Sequence, residues 1–219
     1  MVRLFVAFIA LCLINDAFPA PAKHEDLCSA GMDIAFILDA RLSSSTWKKT
    51  LRMSKKIVDE FGASEDGNHF AVMTFNTEPQ IDMKFNKYNG SDLSREKING
   101  DIDGLKRKTG YKFIDRALLA AEKEVFTVEA GMRQKARKVA VVITDGIQTK
   151  NRGQFLNLYE ASNGLKSKDV EIYSIGVGED IDVLGLLDMA SSEDKVITSG
   201  WYILSEFGEF KNSFCYPIQ

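Results

Sequence analysis

"DIAFILDARLSSS", residues 33–45, joins two kinds of sequence. Ile34 to Leu38 is an unbroken apolar run, too continuous for a strand with one wet face. Strands buried on both faces of a parallel sheet read this way. From Asp39 onward the chain turns polar, and "SSST" at 43–46 offers hydroxyls for the start of a helix. Asp39 stands at the junction, where two roles are open to it. It can hold a metal or a substrate at a strand end, or it can belong to helix capping by Ser43 and its neighbours. Arg41, two residues on, puts a cation beside either role.

Further along, "VAVVIT" (139–144) and "IYSIGVG" (172–178) are equally continuous, and "HFAVMTF" (69–75) resembles them. "IDMKF" (81–85) alternates instead, as an edge or antiparallel strand does. Helical stripes lie between these runs. Trp47, Leu51, Ser54, Ile57, Val58 and Phe61 form one; Ile114, Ala117, Leu118, Ala121 and Val125 form another. "QFLNLYEASNGLK" predicts a third helix, broken at Asn163-Gly164, and "DVLGLLDMA" and "SEFGEFKNSF" two short ones. This alternation predicts a doubly wound α/β domain. Its sheet should be mostly parallel with one antiparallel edge strand, and helices should cover both faces. In such folds ligands gather beyond the carboxyl ends of the strands, where strand order reverses. Asp39 follows one buried strand and Asp145 follows another, so both sit where a site would form if the two strands are neighbours.

The chain has 219 residues, a formal charge of −3 and three cysteines. Residues 1–22 are expected to be a secretion signal: Arg3 is basic, Leu4 to Ile14 is apolar, and Ala17, Ala20 and Ala22 are small enough for cleavage. That run is about half the length a bilayer requires, and no later segment is long enough. About 195 residues remain after the signal, enough for one domain with a sizeable core. A segment 23–32 carrying Cys28 precedes the domain proper, 33–219. In an oxidising compartment, Cys28 and Cys215 read as a disulfide tying the two ends together, worth on the order of 5 kcal/mol at most by loop entropy. Asn89-Gly90-Ser91 is a glycosylation sequon in a turn-like stretch. The charge balance gives no sign of a nucleic-acid partner.

Asp39 and Asp145 with their surroundings resemble a von Willebrand factor A domain. "DIAFILDARLSSSTWKKTLRMSKKIVDEF" is similar to that family's first strand, ion-site loop and first helix, and "GNHFAVMTFNTEPQIDMKFNKY" to its second and third strands. "KVAVVITDGIQTK" and "VEIYSIGVGEDID" resemble the fourth and fifth strands with their loops. The placement of Cys28 and Cys215 also resembles family members whose termini are bridged, and the chain is similar to the A domains of matrilins and collagens. The resemblance implies a metal-ion-dependent adhesion site that binds Mg²⁺ through an Asp-x-Ser-x-Ser loop, a threonine and the Asp of "TDG". Asp39, Ser43 and Asp145 match three of these positions. Arg41 stands at the first serine, and Lys112 stands where the threonine belongs. A register shift of three would bring Thr109 there instead.

Lysine and arginine carry donors only and cannot ligate a cation. A second positive charge about 4 Å from Mg²⁺ would cost about 8 kcal/mol at an effective dielectric near 20. If Arg41 and Lys112 point inward, they replace the ion. The expectation is therefore a degenerate site held by internal salt bridges, with no resident cofactor. If their long stems swing out to solvent, Mg²⁺ binding survives.

"GVGEDI" (176–181) lacks the third glycine of a dinucleotide loop and reads as an ordinary loop. "KRK" (106–108) and "RQKARK" (133–138) read as solvated faces that could also meet acidic glycans. An enzyme is not expected. Arg41 stands where an aspartyl phosphotransferase would want a second Asp, only His24 and His69 are available as bases, and no serine lies in a nucleophile elbow. The expected function is a secreted protein-binding module of the extracellular matrix or of adhesion, with collagen-like or other matrix components as partners. Two alternatives stay open: a Mg²⁺-dependent adhesion domain, and a purely structural matrix or biomineral component.

Overall fold

A computed structural model describes Cys28, residues 31–199 and residues 201–216. The expected signal, residues 1–22, lies outside these. Six strands form one sheet: β1 Met32–Asp39, β2 His69–Phe75, β3 Pro79–Met83, β4 Arg137–Thr144, β5 Val170–Gly176 and β6 Val196–Ile197. Their spatial order is β3-β2-β1-β4-β5-β6. Among the described residues, only β3 runs antiparallel to its neighbour, and it forms one edge. The expected α/β fold is the observed one. β3 begins two residues earlier than its alternating pattern indicated, and Lys84 and Phe85 fall beyond it. A bulge at Val72/Met73 in β2 shifts the register.

The continuous apolar runs make sense once the two faces are separated. Along β1, Ile34, Phe36 and Leu38 point into one core, while Ala35 and Ile37 point into the other. The first core is closed by α1 (Ser44–Phe61), α2 (Arg95–Gly104) and α7 (Phe207–Cys215), with the short α6 (Tyr202–Ser205) beside them. The second is closed by α3 (Ile114–Ala120), α4 (Leu158–Lys166) and α5 (Val183–Met189). With both faces covered, every β1 residue is buried. Each large side chain so buried contributes about 1.5–3 kcal/mol of transfer free energy.

Three expectations need correction. α4 runs unbroken through Asn163-Gly164. A β-carbon on Gly164 would lie 2.6 Å from Glu122 Oε2, the end of a flexible side chain that can give way. The second stripe is one helix only in part, since α3 gives way to a π-turn at Ala121–Val125. The basic runs are not simply solvated faces. Arg133 donates from Nε to Asp33 Oδ1 at 2.8 Å, and Asp33 is fully buried. Arg137 grips Glu171 through Nε and Nη2, at 2.6 and 2.9 Å. Lys108 donates to Thr74 Oγ1 at 3.0 Å, and Arg107 to the Leu42 carbonyl at 2.6 Å. α2 left too weak a pattern to read: only Ile98 and Ile102 of its ten residues are buried.

Cys28 and Cys215 are disulfide-bonded with their Cα atoms 5.1 Å apart. The bridge ties the segment before β1 to the end of α7. Among the described residues, no helix is long and apolar enough to cross a membrane.

Candidate functional site

β1 and β4 are adjacent and parallel, and the sheet order reverses between them, since the chain adds β2 and β3 on one side and β4 to β6 on the other. Asp39 ends β1 and Asp145 follows β4, so the two acids meet at the crevice the topology creates. Gly146 sets the second acid in place. It turns the chain at φ +83°, and a β-carbon there would meet the Asp182 carbonyl oxygen at 2.4 Å. Asp182 N–H in turn donates to the Asp145 carbonyl at 2.8 Å.

Lys112 lies between the two acids. Its ammonium is 3.2 Å from Asp39 Oδ2 and pairs still more closely with Asp145 Oδ2. The rest of the carboxylate capacity is also engaged. Asp39 Oδ1 accepts from Arg41 N–H at 2.9 Å, and Oδ2 accepts from the Thr144 hydroxyl at 2.9 Å. Asp145 Oδ1 accepts from Ile147 N–H at 2.9 Å. Asp39 is fully buried, and this burial pushes its carboxyl above the usual carboxylate range, against the lowering pull of Lys112.

Arg41 does not join this cluster, contrary to the expectation that both cations turn inward. It is exposed, and its Nε donates to the Gly110 carbonyl. Ser43 caps α1 by accepting from Thr46 N–H at 3.2 Å, and it also lines the cleft above the acids. Capping and site membership are thus compatible for this serine. Thr109 is exposed and its carbonyl accepts from the Asn76 amide, so the three-residue shift is not realised. The cleft measures about 350 Å³; Glu179 and Asp180 of the loop after β5 share its wall with Lys112 and Asp145. Those two acids and Thr144 were not singled out in the sequence. The signal for Glu179 and Asp180 was their place just after a buried strand; Thr144 was hidden as a strand residue. Asn89 is exposed, just before a short 3₁₀ turn.

As arranged, the Lys112 ammonium, which can donate but cannot ligate a cation, lies between the carboxylates of Asp39 and Asp145. Among the described residues, no group of three or more His, Cys, Asp or Glu side chains could hold a metal.

Residues 33–214 match the model of the von Willebrand factor type A domain, and the chain belongs to that family. It is 27% identical to cuticlin-6 of Caenorhabditis elegans over 88% of its own length and 33% of that protein. It is also 27% identical to human matrilin-3, over 90% of this chain and 40% of that one. Proximal thread matrix protein 1 from the mussel byssus superposes with a TM-score of 0.71 at 29% identity, over 86% of this chain and 47% of that one. The same mussel protein has been solved with zinc in its ion site, called there a MIDAS motif. The chain spans less than half the length of each of these relatives.

Proposed function

We propose that this chain is a secreted protein-binding module of matrix or adhesion type whose ion site works without a metal. The observation that carries the reading is the Lys112 ammonium between Asp39 and Asp145. It supplies positive charge at the point where a divalent ion would bridge them, and it needs no ion concentration to do so. The matrilin and mussel matrix relatives support collagen-like or other matrix components as partners. The Cys28–Cys215 bridge is what an oxidising, extracellular compartment permits, and exposed Asn89 is open to glycosylation there. Acidic glycans are poorer candidates, because Arg107, Lys108, Arg133 and Arg137 each donate to partners within the chain, which leaves Lys106 and Lys135 as the exposed lysines of the two runs.

The module binds and does not catalyse. His69 ring nitrogen contacts the Glu65 carbonyl at the start of β2, the end of the strand opposite the cleft. The cleft acids are neutralised in part by Lys112. A screen with esterase and phosphatase substrates should give no turnover that Asp39→Ala abolishes.

The zinc-bearing mussel structure favours a second reading, in which Lys112 swings out and a metal enters. Pull-down on collagen and other matrix surfaces, with and without EDTA, separates the two. Metal-free recognition predicts equal capture in both. Melting curves sharpen the test: the natural chain should show no Mg²⁺-dependent shift at millimolar ion. Lys112→Thr in EDTA should lose about 3 kcal/mol, because two carboxylates are left facing each other near a buried site. Mg²⁺ should restore part of that loss. A Mg²⁺ shift in the natural chain itself would sink the metal-free reading.

A further inference from the structure

A second hollow, which Lys112 does not line, lies beside α3. It measures about 540 Å³, and Asp115 and Arg116 line it together with Leu119, Phe155 and Leu156. Asp115 is only 3% exposed. Its Oδ2 accepts from Leu156 N–H at 3.0 Å, while Oδ1 is buried with no hydrogen-bond partner among the described residues. Half of a buried carboxylate left without a donor is costly. The nearest cation in sequence does not relieve it: Arg116 reaches Glu78 at 3.2 Å and stacks over the Phe113 ring at 4.0 Å. Gln148 adds rigidity, accepting from Asp115 N–H and donating to the Leu156 carbonyl.

The surroundings are apolar and exposed. Phe155 and Leu156 are 42% and 40% exposed. Phe155 also lines a smaller hollow of about 270 Å³, together with exposed Leu184 and with Lys150, Asp182 and Asp188. Acidic groups in apolar walls suit side chains with a long aliphatic stem and a cationic tip. The apolar surface extends beyond a single side chain, which suits a protein segment better than a free amine.

We propose that this face docks a basic protein segment, one lysine or arginine side chain entering the α3 hollow to pair with Asp115. Nothing in this depends on Lys112 or on the ion site. The test titrates ¹⁵N-labelled protein, in EDTA throughout, with the peptide acetyl-Gly-Ala-Lys-Ala-Gly-amide and with its norleucine and glutamate counterparts. The lysine peptide should shift the amides of Leu119 and residues 153–156. Norleucine should bind about tenfold more weakly or worse, and glutamate not at all. Asp115→Asn should weaken the lysine peptide to the norleucine level. Phe155→Ala, which alters an exposed wall, should weaken both and carries the test if Asp115→Asn does not fold. Equal affinity for lysine and norleucine would assign Asp115 to the fold alone and overturn the proposal. So would shifts confined to the Glu179 and Asp180 cleft, or no shift at millimolar peptide.

Discussion

At the scale of single residues, charge matters less than the direction its side chain takes. Arg41 and Lys112 are both readable as cations near two acids, and only Lys112 reaches them. Arg41 has a carbonyl within reach at Gly110 and remains at the surface, where its charge stays solvated. Asp39 gets its burial from ending a strand covered on both faces, but its carboxylate is satisfied from three places: Arg41 N–H nearby in the chain, the Thr144 hydroxyl on β4, and Lys112. Tyr173 is a second buried ionisable group with a testable consequence. Burial pushes its phenol up to about 12, despite the lowering effect of Arg137. The native chain thus keeps a proton that the unfolded chain loses near pH 10. Stability from this group is complete below pH 10 and is lost as pH rises toward 12, by on the order of 2 kcal/mol. Urea denaturation across that range should show the loss, and Tyr173→Phe should be flatter with pH. Identical slopes for both proteins would refute the assignment.

At the scale of elements, glycines mark where chain meets chain. Gly146 needs its left-handed turn and its bare α-carbon against Asp182. Gly146→Ala should therefore destabilise the domain by about 1–3 kcal/mol and disturb the Lys112–Asp145 pair. A denaturation midpoint within error of the natural chain would show that the loop relaxes freely. Gly164 looked like a helix break because glycine disfavours helix interiors. What carries the helix through it is the packing of α4, whose Leu158, Ala161, Ser162 and Leu165 are buried, and no local pattern contains that information. α2 was missed for a related cause: two buried isoleucines, four apart, leave too thin a stripe to stand out. α1, with six buried positions behind a serine cap, was plain.

At the scale of the molecule, the Cys28–Cys215 bridge closes a sequence separation of 187 residues and holds α7 beside the start of β1. Phe214 continues that join, with its ring 4.6 Å from Tyr173 and 5.0 Å from Phe61. Reducing the disulfide should cost about 2–5 kcal/mol in a denaturation experiment with dithiothreitol. An unchanged midpoint would mean that the aromatic packing alone fixes the termini. The two cores divide the labour: the one behind α1 and α7 is braced by the bridge, while the one behind α3, α4 and α5 lies under the exposed apolar loops.

The sequence alone determined five of the six strands, the antiparallel edge and the place of each acid at a strand end, because hydrophobic periodicity is a property of consecutive residues; that the two acids meet was decided by the pairing of β1 with β4. It also determined that two cations stood in ligand positions. Only the tertiary structure decided which of them is used, since Lys112 comes to Asp39 and Asp145 across 73 and 33 residues of chain. It alone showed that, among the described residues, Asp115 Oδ1 has no partner, and that Lys108, Arg133 and Arg137 of the basic runs are held by partners in the fold. Pairings of that kind depend on which elements pack together, and no stretch of sequence carries both halves of such a contact.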